Sequence, residues 1–159
     1  MDRVTRQRLL EIGLAIVLTM AALLFVAAAW ANPKGVSISD AWARPTIGEG
    51  RVTAAYMTIT NTSGEDDVLK GVKSPRAKRV ELHRTQMTDD GVMQMRPIQD
   101  GLPLPAGGTA FLKPGGAHVM IMGLDGPLSE GEDLPLTLEL EKAGIVEIMI
   151  PIRKRAGGK

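Results

Sequence analysis

The sequence predicts an all-β domain, a sandwich or barrel of short strands, on three observations. Beyond residue 35, apolar and polar residues alternate in short runs, the period of strands with one buried face. Turn signals built on Gly, Pro and Asp separate the runs at roughly 8 to 12-residue spacing, as in β-sandwiches and barrels. No stretch of that region carries the 3.6-residue period of a long amphipathic helix. With 159 residues, the chain is about one domain on a prior of roughly 100 to 200 residues each.

The first element is different in kind. "IGLAIVLTMAALLFVAAAWA", residues 12–31, contains no charge and follows Arg3, Arg6 and Arg8. It reads as an apolar helix that is either a signal peptide or a membrane anchor. A span needs about 20 residues, and "AWA" at Ala29 to Ala31 also fits small-x-small cleavage. Either way the domain beyond it is expected outside the cytoplasm. Taking away residues 1–31 removes three arginines with Asp2 and Glu11 and leaves that domain formally neutral. "NPKG", residues 32–35, reads as a linker, 36–152 as the domain, and 153–159, "RKRAGGK", as a flexible basic tail. With no basic stripe, nucleic acid is not an expected partner. Membrane contact is expected only through residues 12–31 if they are retained.

The strands come in order: "VSISDAWA", "AAYMTITN", "DVLKGVKS", "AKRVELHRT", "GVMQMRPI", "TAFLK", "HVMIMG", "LPLTLEL" and "IVEIMIPI". "KPGG" from Lys113 puts Pro where φ is preset and Gly where φ must be positive, as in a type II turn. "DDGV" at Asp89 and "PAGG" at Pro105 punctuate the chain similarly. Trp42, Tyr56 and Phe111 are expected as large core fillers.

Chemistry concentrates in "HVMIM", residues 118–122. Alternation puts His118, Met120 and Met122 on one face and Val119 and Ile121 on the other. Only one other histidine exists, His83, and Met87, Met93 and Met95 come after it within twelve positions. The chain has nine methionines and no cysteine. Without thiolate, a soft ion such as Cu(I) would have to use imidazole and thioether, and a thioether keeps its lone pair at any pH and forms no disulfide. The competing reading is packing: methionine fills gaps in cores poor in aromatics, and a histidine on a strand can be a hydrogen-bonded core residue.

"VELHRTQMTDDGVMQMRPIQDGLPLPAGGTAFLKPGGAHVMIMGL", residues 80–124, resembles the signature of the periplasmic copper chaperones of the PCu(A)C family: a His, a Met about a dozen residues on, and a closing H-x-M. "DAWARPT", "AAYMTITNTSGEDDVLKGVKSP" and "PLSEGEDLPLTLEL" also resemble stretches of that family, so the likeness spans nearly all of 36–152. It implies a cupredoxin-like Greek-key β-sandwich and the ligand set His83, Met95, His118 and Met120. Met93, which shares a face with Met95, stays open as its substitute, because the interval from Met95 to His118 is one residue longer than the pattern. The resemblance further implies a periplasmic chaperone that binds copper, Cu(I) in preference with Cu(II) possible, and hands it to a recipient. That recipient would be a subunit of cytochrome c oxidase, at its copper A site, or an assembly factor of that enzyme.

No enzyme chemistry is implied: there is no cysteine nucleophile, no G-x-S-x-G elbow and no phosphate-binding glycine loop. A blue-copper electron carrier would need a Cys thiolate. The alternative is an exported β-sandwich that binds a peptide or pilus component through a sheet edge without metal, in which His83 and His118 lie apart or are buried with backbone partners.

Overall fold

The computed structural model describes residues 35–46 and 52–154. The expected signal peptide or anchor, most of the linker and the end of the basic tail lie outside the described residues. The chain divides after Asn32, and the strands of the described residues belong to the unit beyond it, Pro33–Lys159.

Among the described residues ten strands are formed: β1 (Val36–Ala43), β2 (Val52–Asn61), β3 (Asp67–Lys73), β4 (Ala77–Met87), β5 (Met93–Pro97), β6 (Leu102–Leu104), β7 (Thr109–Leu112), β8 (Ala117–Leu124), β9 (Asp133–Leu140) and β10 (Gly144–Pro151). They make two sheets. One has six strands in the order β1-β2-β7-β8-β4-β5, with β2 also pairing β8; the other has four, β10-β9-β3-β6. The chain passes between the sheets after β2, β3, β5, β6 and β8, so some partners are hairpin neighbours in sequence while the sandwich is closed by distant ones.

Alternation decides what lies between the sheets. Ala55, Met57 and Ile59 of β2 and Val119 and Ile121 of β8 face inward from one sheet, and Leu134, Leu136, Leu138, Val146 and Ile150 from the other. Each large aliphatic side chain among them contributes about 1.5 to 3 kcal/mol on full burial. The expectation for "HVMIM" therefore holds: Val119 and Ile121 are core, and the His/Met side faces away from it.

Two expectations need correction. Phe111 is 60% exposed. It pairs with Thr58, between Leu112 opposite Met57 and Ala110 opposite Ile59, so it falls on the outward phase of β7. Trp42 and Tyr56 are buried, but on the outer side of the six-stranded sheet rather than between the sheets. The reason for Trp42 is a β-bulge. Ser39 pairs with Thr58 and Trp42 with Tyr56, so Asp40 and Ala41 together oppose Met57. Asp40 takes φ +51°, which Asp tolerates better than most residues. One extra residue inverts the phase: Ile38 packs inward opposite Ile59, whereas Trp42 turns outward to meet Tyr56. The tenth strand, β6, is the short "LPL" segment, which lies within a stretch that the turn signals mark as loop.

Candidate metal centre

The centre is built by strand register. His83 of β4 lies directly opposite His118 of β8 on one side and Pro97 of β5 on the other; Glu81 is opposite Met120, Thr85 opposite Met95, and Met87 opposite Met93. Directly opposed residues share a face, and so do residues two apart. The outer face of this sheet thus carries successive rows: Glu81 with Met120, His83 with His118, Thr85 with Met95, and Met87 with Met93. The two thioethers Met120 and Met95 flank the imidazole row from either end, each about 6.7 Å along a strand at two residues' rise. Met93 is one row further out than Met95.

The rings of His83 and His118 are 6.0 Å apart between centroids, at 54°. A ring nitrogen lies about 1.1 Å from its centroid and an imidazole–metal bond is about 2.0–2.1 Å for zinc, so two rings sharing one ion reach at most about 6.3 Å. The observed separation lies within that reach.

Hydrogen bonds decide which nitrogens are available. His118, 4% exposed, donates from Nδ1 to the carbonyl of Gly116 at 3.1 Å. A carbonyl only accepts, so the proton is on Nδ1 and Nε2 keeps its lone pair. His83 donates from Nε2 to Glu81 Oε2 at 2.8 Å, which leaves Nδ1 as the lone-pair nitrogen. That Nδ1 is buried and has no hydrogen-bond partner. An orphaned acceptor beside a second imidazole is unfavourable for packing and apt for a ligand. Glu81 is held below the ordinary carboxylate range chiefly by the His83 hydrogen bond, which outweighs partial desolvation, with the nearby Arg79 guanidinium assisting. Arg79 Nε lies 3.3 Å from Glu81 Oε1.

Behind His118 the row continues through Tyr56, 6.5 Å away between centroids, to Trp42, 4.7 Å beyond. Burial pushes the Tyr56 phenol up, partly opposed by the Arg44 guanidinium, which stands 5.5 Å over its ring. These rings wall His118 on the side away from His83. Met122 is turned to another task, accepting at sulfur from Arg79 at 3.6 Å. Among the described residues no group of three His, Asp or Glu side chains is placed to hold an ion. What register brings to one face is two imidazoles with thioethers in the adjacent rows, residue types suited to a soft cation and not to Mg²⁺ or Ca²⁺.

Glu81 and the Gly116 carbonyl are the two participants that residue types do not single out. Glu81 is findable, since "ELH" puts it on the His83 face by alternation. The carbonyl carries no sequence signal.

Fold and donor set together define a PCuAC-type domain. The copper-bound PCuAC domain from PmoF2 matches with a TM-score of 0.64 at 25% identity, over 79% of this chain and 97% of that one. The solution structures of DR1885 from Deinococcus radiodurans match at 33% identity for the apo form (TM-score 0.59, 82% of this chain and 85% of that one) and 32% for the CuI form (TM-score 0.57, 84% and 89%). The chain belongs to the family described as "Putative lipoprotein LpqE-like", whose model matches residues 36–152. A relative in that class, "Putative lipoprotein Lxx21020" of Leifsonia xyli subsp. xyli, is 34% identical over 123 residues, 77% of this chain and 72% of its own length. The family and fold are those of binding domains rather than of enzymes.

Proposed function

We propose that this protein is an exported copper chaperone that holds Cu(I) through His83, His118, Met95 and Met120 and passes it to a recipient protein. The observation that carries the reading is the facing pair His83 and His118, 6.0 Å apart, with the lone-pair nitrogen of His83 buried and unpartnered. His83 would bind through Nδ1 and His118 through Nε2, each with its other nitrogen anchored by a hydrogen bond. Met95 is preferred to Met93 because register sets it in the row next to His83. Thioether and neutral imidazole favour Cu(I) over Cu(II), which oxygen and nitrogen donors would suit better.

Two solved neighbours, the copper-bound PmoF2 domain and CuI-DR1885, hold copper, which supports copper as the cargo. A half-open site suits transfer: His118 is buried, while Met95 is 60% exposed and can exchange its thioether for that of another protein. The proposed recipient is a subunit of cytochrome c oxidase, at its copper A site, or an assembly factor for it. The lipoprotein names of the family and of the Leifsonia relative support export and attachment to a membrane, in the periplasm where there is one. With no cysteine in the 159 residues to carry a lipid, residues 12–31 are the part of this chain that would anchor it.

The test is anaerobic Cu(I) titration of the full chain against a chromogenic chelator. One Cu(I) should bind tightly, and His83→Ala with His118→Ala should abolish that tight binding while leaving the β-sheet circular dichroism unchanged. Undiminished affinity in the double variant would overturn the reading.

A further inference from the structure

The register of β4 with β8 ends at Arg84 opposite Ala117, with one further backbone hydrogen bond from Thr85 N–H to Gly116 O at 3.1 Å. Beyond it, β4 and β5 pair only with each other, through Gln86–Gln94 and Met87–Met93. This two-stranded arm is closed by "TDDGV": Thr88 N–H donates to Val92 O at 2.9 Å, Gly91 N–H to Thr88 O at 2.9 Å, and Gly91 takes φ +76°. One face of the arm carries Met87, Met93 and Met95, exposed by 69%, 54% and 60%. The other carries Gln86 and Gln94, the latter accepting from Arg96 at 3.0 Å.

Core filling cannot explain these methionines, because none is buried and each forgoes about 1.5 to 3 kcal/mol of burial. Directly opposed residues have Cβ atoms about 4.5–5.5 Å apart, so the flexible thioethers of Met87 and Met93 can close on one ion between them. Asp89 and Asp90 lie exposed in the turn that joins the two strands, and their negative charge raises the local concentration of cations at this end of the arm. Met95, diagonal to Met87, stands between this pair and the His83/His118 row.

We propose that Met87 and Met93 form a second, weaker site for a soft monovalent cation, a loading station from which the ion reaches the His83/His118 site by way of Met95. That the cargo is copper rests on the function proposed above; the Met87/Met93 site is tested separately from it. The ion stays monovalent throughout, so the step is ligand exchange without oxidation: one thioether bond forms as another breaks.

The test uses Ag(I), a redox-inert soft monovalent ion, titrated into the full chain with 13C-methyl methionine and 15N-histidine labelling. Two Ag(I) should bind per chain. The first should shift the ring nitrogens of His83 and His118; the second should shift the Met87 and Met93 methyls. Met87→Leu with Met93→Leu, a volume-conserving change at exposed positions, should reduce the stoichiometry from two to one and leave the histidine response intact. Met149, 60% exposed on β10, is the control for a solitary thioether. If the Met87 and Met93 methyls stay still, or move only in parallel with Met149, the second site is refuted while the histidine site stands. If those methyls respond and the histidine nitrogens do not, the second site stands and the proposed chaperone site falls.

Discussion

Replacing Glu81 should weaken copper binding without unfolding the protein, and the size of the effect can be worked from what Glu81 touches. Its carboxylate accepts the His83 Nε2 proton at 2.8 Å, a charge-assisted bond worth about 1.5–3 kcal/mol by itself. That bond is present with and without copper, so only the difference it makes to the ion counts towards affinity. The difference has two parts: the ring is held with Nδ1 facing His118, and the carboxylate makes that nitrogen a better donor to the ion. Partners of metal-bound histidines of this kind typically contribute 10–100-fold in affinity. Glu81 is a third exposed at its side chain, which places it near the low end, about tenfold or about 1.4 kcal/mol for Glu81→Leu. Glu81→Gln keeps an acceptor oxygen and should lose less. Arg79→Gln, which removes a neighbour of Glu81 but not of His83, should change affinity by less than about fivefold, since an exposed pair is worth at most about 1 kcal/mol. The assay is anaerobic chelator competition, with 15N shifts of the His83 ring reporting the tautomer. Unchanged affinity and an unchanged Nε2–H tautomer in Glu81→Leu would refute the anchoring argument.

Met95→Leu should weaken Cu(I) binding by at least about tenfold, about 1.4 kcal/mol, whereas Met93→Leu should leave the tight site within about twofold; the reverse order in the same competition assay would exchange their roles. Asp67 is buried, yet its carboxyl is held below the usual range: burial raises it, and backbone N–H donors from Lys142, Ala143, Val68 and Glu141 outweigh that. A depressed folded-state value stabilises above the unfolded value of about 3.9 and is lost as pH falls through the folded one. Asp67→Asn should therefore destabilise at pH 7 by about 2 kcal/mol and flatten the acid limb below about pH 4, read by urea unfolding across pH; an unaltered acid limb would contradict this. Trp42→Ala should cost about 3–5 kcal/mol in the same unfolding measurement, and a loss under about 1 kcal/mol would show that the outward aromatic wall is not structural.

Alternation carries most of the architecture. The nine expected strands are all present, most of them because the inward phase is a run of Leu, Ile, Val or Ala with little competing signal; β5, exposed along its whole length, is held by its pairing with β4 instead. β6 escapes because "LPLP" has a proline at every second place and only three residues pair. Trp42 is misplaced by composition for a different reason: its side is set by the bulge at Asp40 and Ala41, and a one-residue phase change leaves no mark on residue types. Size alone puts Phe111 in the core, although its phase between Ala110 and Leu112 already turns it outward. For the site, alternation within "HVMIM" and "VELH" gives each strand's face, but neither can give register. Only the pairing of His83 with His118 and of Thr85 with Met95 sets the two imidazoles opposite each other and ranks Met95 ahead of Met93. The choice of ring nitrogen depends on Glu81 and on a main-chain carbonyl, and the latter is invisible to any reading of residue types.

Whether two imidazoles and two thioethers hold one copper ion is tested most directly by X-ray absorption of the full chain loaded anaerobically with one equivalent of Cu(I). The expected spectrum has a Cu(I) edge, two nitrogen scatterers near about 2.0 Å with the outer-shell pattern of imidazole, and two sulfur scatterers near about 2.3 Å. His83→Ala should halve the imidazole contribution and Met95→Leu the sulfur contribution. A first shell of nitrogen and oxygen alone, or sulfur scattering that persists undiminished when Met95 and Met120 are both replaced by leucine, would contradict the proposed site.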